Sequence, residues 1–211
     1  MMIRTAWTAL ALIGALGGCA ATRGPLATEV AAATPNWRAI ATNDDQARLR
    51  SWRDAWTSAS DAVRKAGAGA PLDQDAPLFD PDRALADPLP PAGDYRCRWI
   101  KLGSAAPTVA AYTSYPAVRC TVKTIGKLLR LTVVEGPQRP RGLIFGDEAA
   151  RGVFLGTLML GDETRPLDYG RDAKRDMAGY VERIDDKRWR LVLPQPHFES
   201  LFDIIELTPA A

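Results

Sequence analysis

Two hydrophobic periodicities divide the chain. Between residues 43 and 66, Leu49, Trp52, Trp56, Ala59 and Val63 recur three and four positions apart, the spacing of one helix face. Arg48, Arg50, Arg53, Asp54, Asp61 and Arg64 fall on the other face. Thr42 with Asp45, or Asn43 with Gln46, fits an N-terminal capping pair, and Gly67 and Gly69 supply a stop. The pattern predicts a helix over 43–66 whose tryptophan stripe is buried against the rest of the domain. After Gly93 the period falls to two. Tyr95, Cys97 and Trp99 alternate with Arg96 and Arg98, and Val118, Cys120 and Val122 alternate with Arg119, Thr121 and Lys123. Such alternation marks half-buried strands. Leu129, Leu131 and Val133 continue the series; Leu143–Phe145, Val153–Leu160, a hairpin of Met177–Ile184 with Arg188–Leu193, and Leu201–Leu207 complete it.

About eight short strands with regular turn signals predict an antiparallel barrel or highly curved sheet, and closure is favoured because it removes exposed edges. The fold class is therefore α+β, with the N-terminal amphipathic helix packed on a barrel over 94–208 inside one globular domain, 37–211. Val153–Leu160 is apolar on both faces, so an outer layer must cover it, and the tryptophan-striped helix is the natural cover. Between these parts, residues 70–93 carry Pro71, Pro77, Pro81, Pro88, Pro90 and Pro91. They predict an irregular connector with at most one helical turn near Asp82–Leu85. Its carboxylates do not form a calcium loop, because Leu78 and Ala84 stand where an EF-hand after Asp73 needs Gly and Glu.

The first residues change the picture of where the protein works. Arg4, an apolar stretch from Ala6 to Leu16, and Gly17-Gly18-Cys19 form a secretory signal over 1–18 too short to span a bilayer. Its ending resembles a bacterial lipobox, which implies cleavage before Cys19 and attachment of acyl chains such as palmitate to that residue. Residues 19–36 then read as a flexible tether. Ala20 is not the Asp that keeps such lipoproteins at the inner membrane, so the expected location is the outer membrane, facing the periplasm, with the lipid as membrane anchor. The oxidising compartment predicts a Cys97–Cys120 disulfide, both residues lying on inward strand positions. Without Arg4, 26 basic side chains face 25 acidic ones, which gives no reason to expect nucleic acid as partner.

Candidate chemistry is sparse. His197 is the single histidine, so a zinc site lacks ligands and no metal or cofactor is expected. His197, Glu199 and Ser200 can be drawn as a triad, but residues so close in a loop seldom converge that way. Asp147-Glu148 and Asp162-Glu163 stand in matching Gly-Asp-Glu turns, which acids favour for local hydrogen bonds. A straight strand between them would hold the two turns at opposite ends of the barrel. Arg139 and Arg141 lie in a proline-stiffened loop, Gly136–Gly142. Arg165, Arg171, Lys174 and Arg175 share a segment with Asp168, Asp172 and Asp176, whose spacing of four suggests one helical face. If the two segments meet, they form a positive rim. Arg96, Arg98, Arg119, Lys123 and Arg130 make an outward basic stripe, a wet sheet face or a surface for anionic headgroups.

From Trp37 onward the chain resembles the family catalogued as domain of unknown function 4893, found in Gram-negative envelope proteins. The resemblance rests on Tyr95-Arg96-Cys97-Arg98, Ile100-Lys101-Leu102-Gly103, Gln138-Arg139-Pro140, Val153-Phe154-Leu155-Gly156, Leu160-Gly161-Asp162-Glu163, Tyr169-Gly170, Val181-Glu182-Arg183-Ile184, Trp189-Arg190-Leu191-Val192 and Glu199-Ser200. It implies no activity, but it directs attention to Gln138, Asp162, Glu163 and Glu199. The expected function is a non-catalytic binding module that engages or inhibits an envelope protein through Gln138, Arg139, Arg141, Asp162, Glu163 and Arg165. Capture of a small apolar or anionic ligand inside the barrel is the alternative, and carboxylate-dependent hydrolysis of a cell-wall polymer a third. Large inward residues, Tyr95, Trp99, Leu129, Leu131 and Trp189, argue for a filled interior.

Overall fold

A computed structural model describes residues 35–210. The signal at 1–18, Cys19 and nearly all of the 19–36 tether lie outside the described residues. The domain begins with helix α1 (Trp37–Ile40), capped by Asn36 Oδ1, which accepts from the Arg38 N–H at 3.0 Å. The helix predicted over 43–66 is two helices, α2 (Asn43–Arg50) and α3 (Trp52–Lys65). They part at Ser51, whose hydroxyl turns back on the carbonyls of Ala47 and Arg48 at 3.3 Å, a contact that bends helices. Thr42 caps α2 through its bond with the Asp45 N–H. Gly67, at φ +73°, ends α3 as Ala68 N–H reaches back to Val63 O at 3.1 Å.

The connector is more regular than its prolines suggest. It contains two short helices, α4 (Ala70–Gln74) and α5 (Ala76–Phe79). Pro71 and Pro77 sit in their first turns, where a missing N–H costs nothing. The turn predicted near Asp82–Leu85 gives way to a single antiparallel bridge from Leu85 to Arg183.

Nine strands follow: β1 (Gly93–Leu102), β2 (Tyr112–Ser114), β3 (Val118–Ile125), β4 (Leu128–Val133), β5 (Gln138–Glu148), β6 (Arg151–Leu160), β7 (Asp176–Asp185), β8 (Arg188–Pro194) and β9 (Phe202–Pro209). Each pairs antiparallel with its neighbour from β3 to β9, and β1 pairs with both β3 and β9. Eight strands thus close a barrel; the seam runs from Tyr95 opposite Pro209 to Leu102 opposite Phe202. The short β2, absent from the sequence reading, takes the other edge of β1 beyond Cys97, where β3 no longer reaches.

Two sequence expectations are corrected by the strands. Gln138–Gly142 is the start of β5, not a loop. Pro140 is tolerated because the β4 ladder ends at Arg141, so no partner on that side needs its N–H. Asp168, Asp172 and Asp176 do not form a helix. Asp172 accepts from the Lys174 N–H and Asp176 from the Gly170 N–H, side-chain bonds that compete with helix formation, and Asp176 opens β7.

The inner face carries one core: Tyr95, Leu131, Ile144, Phe154, Trp189 and Leu191 among others. Phe154 lies over a close approach of β5 and β6, where a Cβ on Gly142 would stand 2.6 Å from its Cζ. Two outer clusters bury the helices. Trp56 meets Phe202 edge-on at 4.9 Å, and Trp52 meets Tyr180 at 5.9 Å. The outer face of β6 is covered by Trp37, Ala41 and Leu49, rather than by the tryptophans of α3. Arg190 is fully buried under α5, donating to the carbonyls of Leu78 at 2.8 Å and Arg83 at 3.0 Å, and lies 4.7 Å from the Trp56 ring centroid.

The predicted disulfide is present: Cys97 and Cys120 are bonded, with Cα atoms 5.9 Å apart. It joins β1 to β3 at the last stretch of their ladder, just before β1 passes to β2.

Candidate functional site

The barrel interior is unevenly filled. At the end where β1 begins, Trp189 and Tyr95 pack edge-on at 6.0 Å, and the Tyr95 hydroxyl donates to Pro91 O at 2.8 Å. Toward the opposite end, where β1 finishes and β9 starts, a cavity of about 510 Å³ opens. Its walls are inward strand residues, Cys97, Trp99, Val118, Val133, Leu160 and Ile205. Tyr115, Pro116 and Pro137 line the rim, with three polar side chains, Glu135, Gln138 and Glu199. The cavity exists because β1 leaves β3 here and the chain between β2 and β3 does not refill the space.

Beside this mouth lies a buried charge pair that the sequence reading missed. Lys101 and Asp203 oppose each other across the β1–β9 seam, and both point inward. Lys101 Nζ is 3.3 Å from Asp203 Oδ2, and 3.3 Å from Glu199 Oε2 at the rim. The ammonium also stands 5.0 Å from the centroid of the Trp99 ring. Asp203 accepts the Ser200 hydroxyl on its other oxygen. Burial pushes the Asp203 carboxyl above its ordinary range; Lys101 and Ser200 oppose that shift. Desolvating both charges is costly, so such a pair beside a cavity marks a place where polarity is retained against stability. The loop that carries Glu199 and Ser200 holds two non-glycine residues in left-handed conformation, Gln195 at φ +48° and Glu199 at φ +67°.

The segments of Arg139 and Arg175, which would form a positive rim if they met, come together at this end, and their charges are largely consumed there. Arg139 Nη1 donates to Gly136 O at 2.8 Å and Gly161 O at 2.6 Å, and Nη2 to Glu163 O at 2.7 Å. It therefore staples the β4–β5 turn to the segment after β6. Glu163 accepts both guanidinium nitrogens of Arg175 at 3.0 Å and the Leu160 N–H at 2.9 Å; Arg175 holds its carboxyl below the ordinary range. Asp162 and Arg165 are exposed on the same segment, Gln138 faces the mouth, and Arg141 lies further along the outer wall. The matching turns stand at opposite ends of β6, as its straight course requires; Asp147, at the far end, pairs with Arg38 at 2.7 Å.

His197, Glu199 and Ser200 form no triad: Ser200 donates to Asp203 and Glu199 pairs with Lys101. The basic stripe is interrupted, because Arg98 pairs with Glu206 at 2.6 Å and Arg119 with Glu135 at 2.6 Å. Lys101 and Asp203 carried a signal that was not used: each is a charge at an inward position of an otherwise apolar strand.

The fold and site define a closed eight-stranded antiparallel barrel, wrapped by N-terminal helices, with a polar-rimmed cavity at one end. The chain belongs to the family described as domain of unknown function (DUF4893), whose model matches residues 37–207. No curated protein and no solved structure matches the chain.

Proposed function

We propose that the domain is a non-catalytic binding module, anchored in the bacterial envelope by a lipid on Cys19, whose barrel mouth holds a small, largely apolar molecule. The cavity at the mouth is the observation that carries this reading. Its volume of about 510 Å³ falls within the range of about 300–1,000 Å³ common for ligand sites. Apolar walls would desolvate the body of the ligand, while Gln138 and Glu199 at the rim offer hydrogen bonds to one polar end. The disulfide and the β1–β9 seam keep the walls in place without ligand, which lowers the entropic cost of binding. Envelope location rests on the signal and lipobox-like residues before Cys19.

Native mass spectrometry of the full-length chain, purified from its own cells and released from detergent, tests the reading. A small-molecule adduct is expected on the natural chain and absent from Val118→Trp/Val133→Trp, whose two indoles would project from adjacent walls and obstruct the cavity. A natural chain without adduct, or an adduct retained by the filled variant, would overturn the proposal.

Engagement of an envelope protein is the second reading. Asp162, Arg165 and Leu167, all exposed on the segment between β6 and β7, favour it. Arg139 would serve such a surface by holding that segment in place.

A further inference from the structure

A second concavity lies outside the barrel, where the walls of β4, β5 and β6 meet α1 and the segment after β6. It measures about 260 Å³ and brings together Arg130, Arg141, Thr157, Asp168, Leu167 and Ile40. Arg130 opposes Leu143 and Arg141 opposes Thr132, so the two arginines are diagonal neighbours on one face, about 7–8 Å apart at the backbone. Both are half-buried, and among the described residues neither makes an ion pair. Like charges so placed repel, and their partial burial raises that cost unless an anion joins them. The other arginines of the outer wall have found partners: Arg98 with Glu206, Arg119 with Glu135, Arg151 with Glu182.

A separate observation points to the same spot. Thr157, directly opposite Arg141, is buried, and its hydroxyl oxygen has no hydrogen-bond partner. Buried hydroxyls are nearly always satisfied, so one left over beside the free guanidinium of Arg141, with Arg130 on the next strand beyond, marks the position of a missing acceptor. The groove is also apolar in an unusual place: Leu167 and Ile40 on its edge are 45% and 44% exposed. Phe145 and Leu155 line it beneath them.

We propose that this groove binds an anionic amphiphile, with a phosphate or carboxylate oxyanion held by Arg130, Arg141 and Thr157 and an apolar chain lying on Leu167 and Ile40. Guanidinium groups suit this role because their planar forks donate two hydrogen bonds to an oxyanion. The site is distinct from the barrel mouth: its residues are on the outer face of the wall, and it stands whether or not the mouth holds a ligand. Asp168 borders the groove and opposes an anion, so it limits affinity.

Isothermal titration of the full-length chain in neutral detergent micelles, with octyl phosphate as probe, tests the assignment. Partitioning into micelles is common to all variants and cancels between them. Saturable binding is expected, at least roughly tenfold weaker in Arg130→Gln/Arg141→Gln, since each charge-assisted contact is worth about that factor. Asp168→Asn should bind roughly threefold tighter, a gain that general loss of structure cannot imitate. Octanol should show no saturable binding, and inorganic phosphate should bind more weakly than octyl phosphate. Isotherms unchanged by the arginine substitutions would overturn the site. Inorganic phosphate binding as tightly as octyl phosphate would overturn the amphiphile and leave a plain phosphate pocket.

Discussion

Glu182 and Arg190 face each other across β7 and β8 with both side chains fully buried, Oε2 to Nη2 at 2.7 Å. The guanidinium has no water to fall back on, and burial alone pushes its pKa down while Glu182 holds it up. It also ties the connector to the barrel through the carbonyls of Leu78 and Arg83. Replacing Glu182 with Gln keeps the shape and removes the counter-charge. The expected loss is about 3–5 kcal/mol of unfolding free energy, the usual result of stranding one member of a buried pair. Urea unfolding followed by tryptophan fluorescence measures it.

At the mouth, Lys101→Met should also destabilise, because Asp203 would then stay buried with only Ser200 for company. The double change Lys101→Met/Asp203→Leu should recover most of the loss, since two apolar side chains of similar volume suit that environment. Additive losses in the double-mutant cycle would mean that the pair does not act as a unit.

Asp75 links the connector to β1 and β8 through Arg188 and Arg98. The bond from Arg188 holds its carboxyl below the ordinary value of 3.8. The native state therefore binds a proton at Asp75 less readily than the unfolded chain does. Its contribution is present above 3.8 and is lost as pH falls through the lower native value. Asp75→Asn should be less stable at neutral pH and should lack that part of the acid-induced decline. Urea midpoints collected above and below 3.8 for both chains test the sign.

Gly142→Ala places a Cβ 2.4 Å from Leu155 O and 2.6 Å from the Phe154 ring. Neither the strand backbone nor the packed ring can yield cheaply, so a loss of at least about 1–3 kcal/mol is expected. Gly146→Ala, on the same strand with nothing within 4 Å, is the control and should be near neutral. Thermal unfolding of the two variants side by side makes the comparison.

Reducing Cys97–Cys120, which closes a separation of 23 residues, should cost about 3 kcal/mol on the loop-entropy account. Equal unfolding free energy with and without reductant would show that the ladder between β1 and β3 carries this region by itself.

The strands were legible because one-sided burial writes itself into every second residue, as at Tyr95, Cys97 and Trp99. The same parity placed both cysteines inward before any pairing was known. What stayed hidden depended on neighbours distant in sequence. Pro140 reads as a loop residue until one sees that β4 stops short of it. Ser51 looks like any helix residue until its hydroxyl turns on the preceding carbonyls. Lys101 and Asp203 become a pair only through the register of the first strand against the last. The rim stood in the sequence only as a condition, two basic segments whose meeting was left open, and nothing there showed Arg139 consumed by three carbonyl oxygens.

The seam between β1 and β9 sets the order in which the molecule can be completed. Arg98 and Glu206, which meet across it, are 108 residues apart in the chain. Every other strand therefore emerges before β9, the last partner of β1, exists. During that interval β1 exposes Ile100 and Leu102 on an open edge, a surface prone to pairing with other chains. The pairing of β1 with β3, Cys97 opposite Val118, spans a far shorter stretch of chain than the seam and can form early. Loss of the final strand, Phe202–Pro209, would leave β1 and β8 as permanent edges, so a chain cut there is expected to aggregate rather than persist as a smaller barrel.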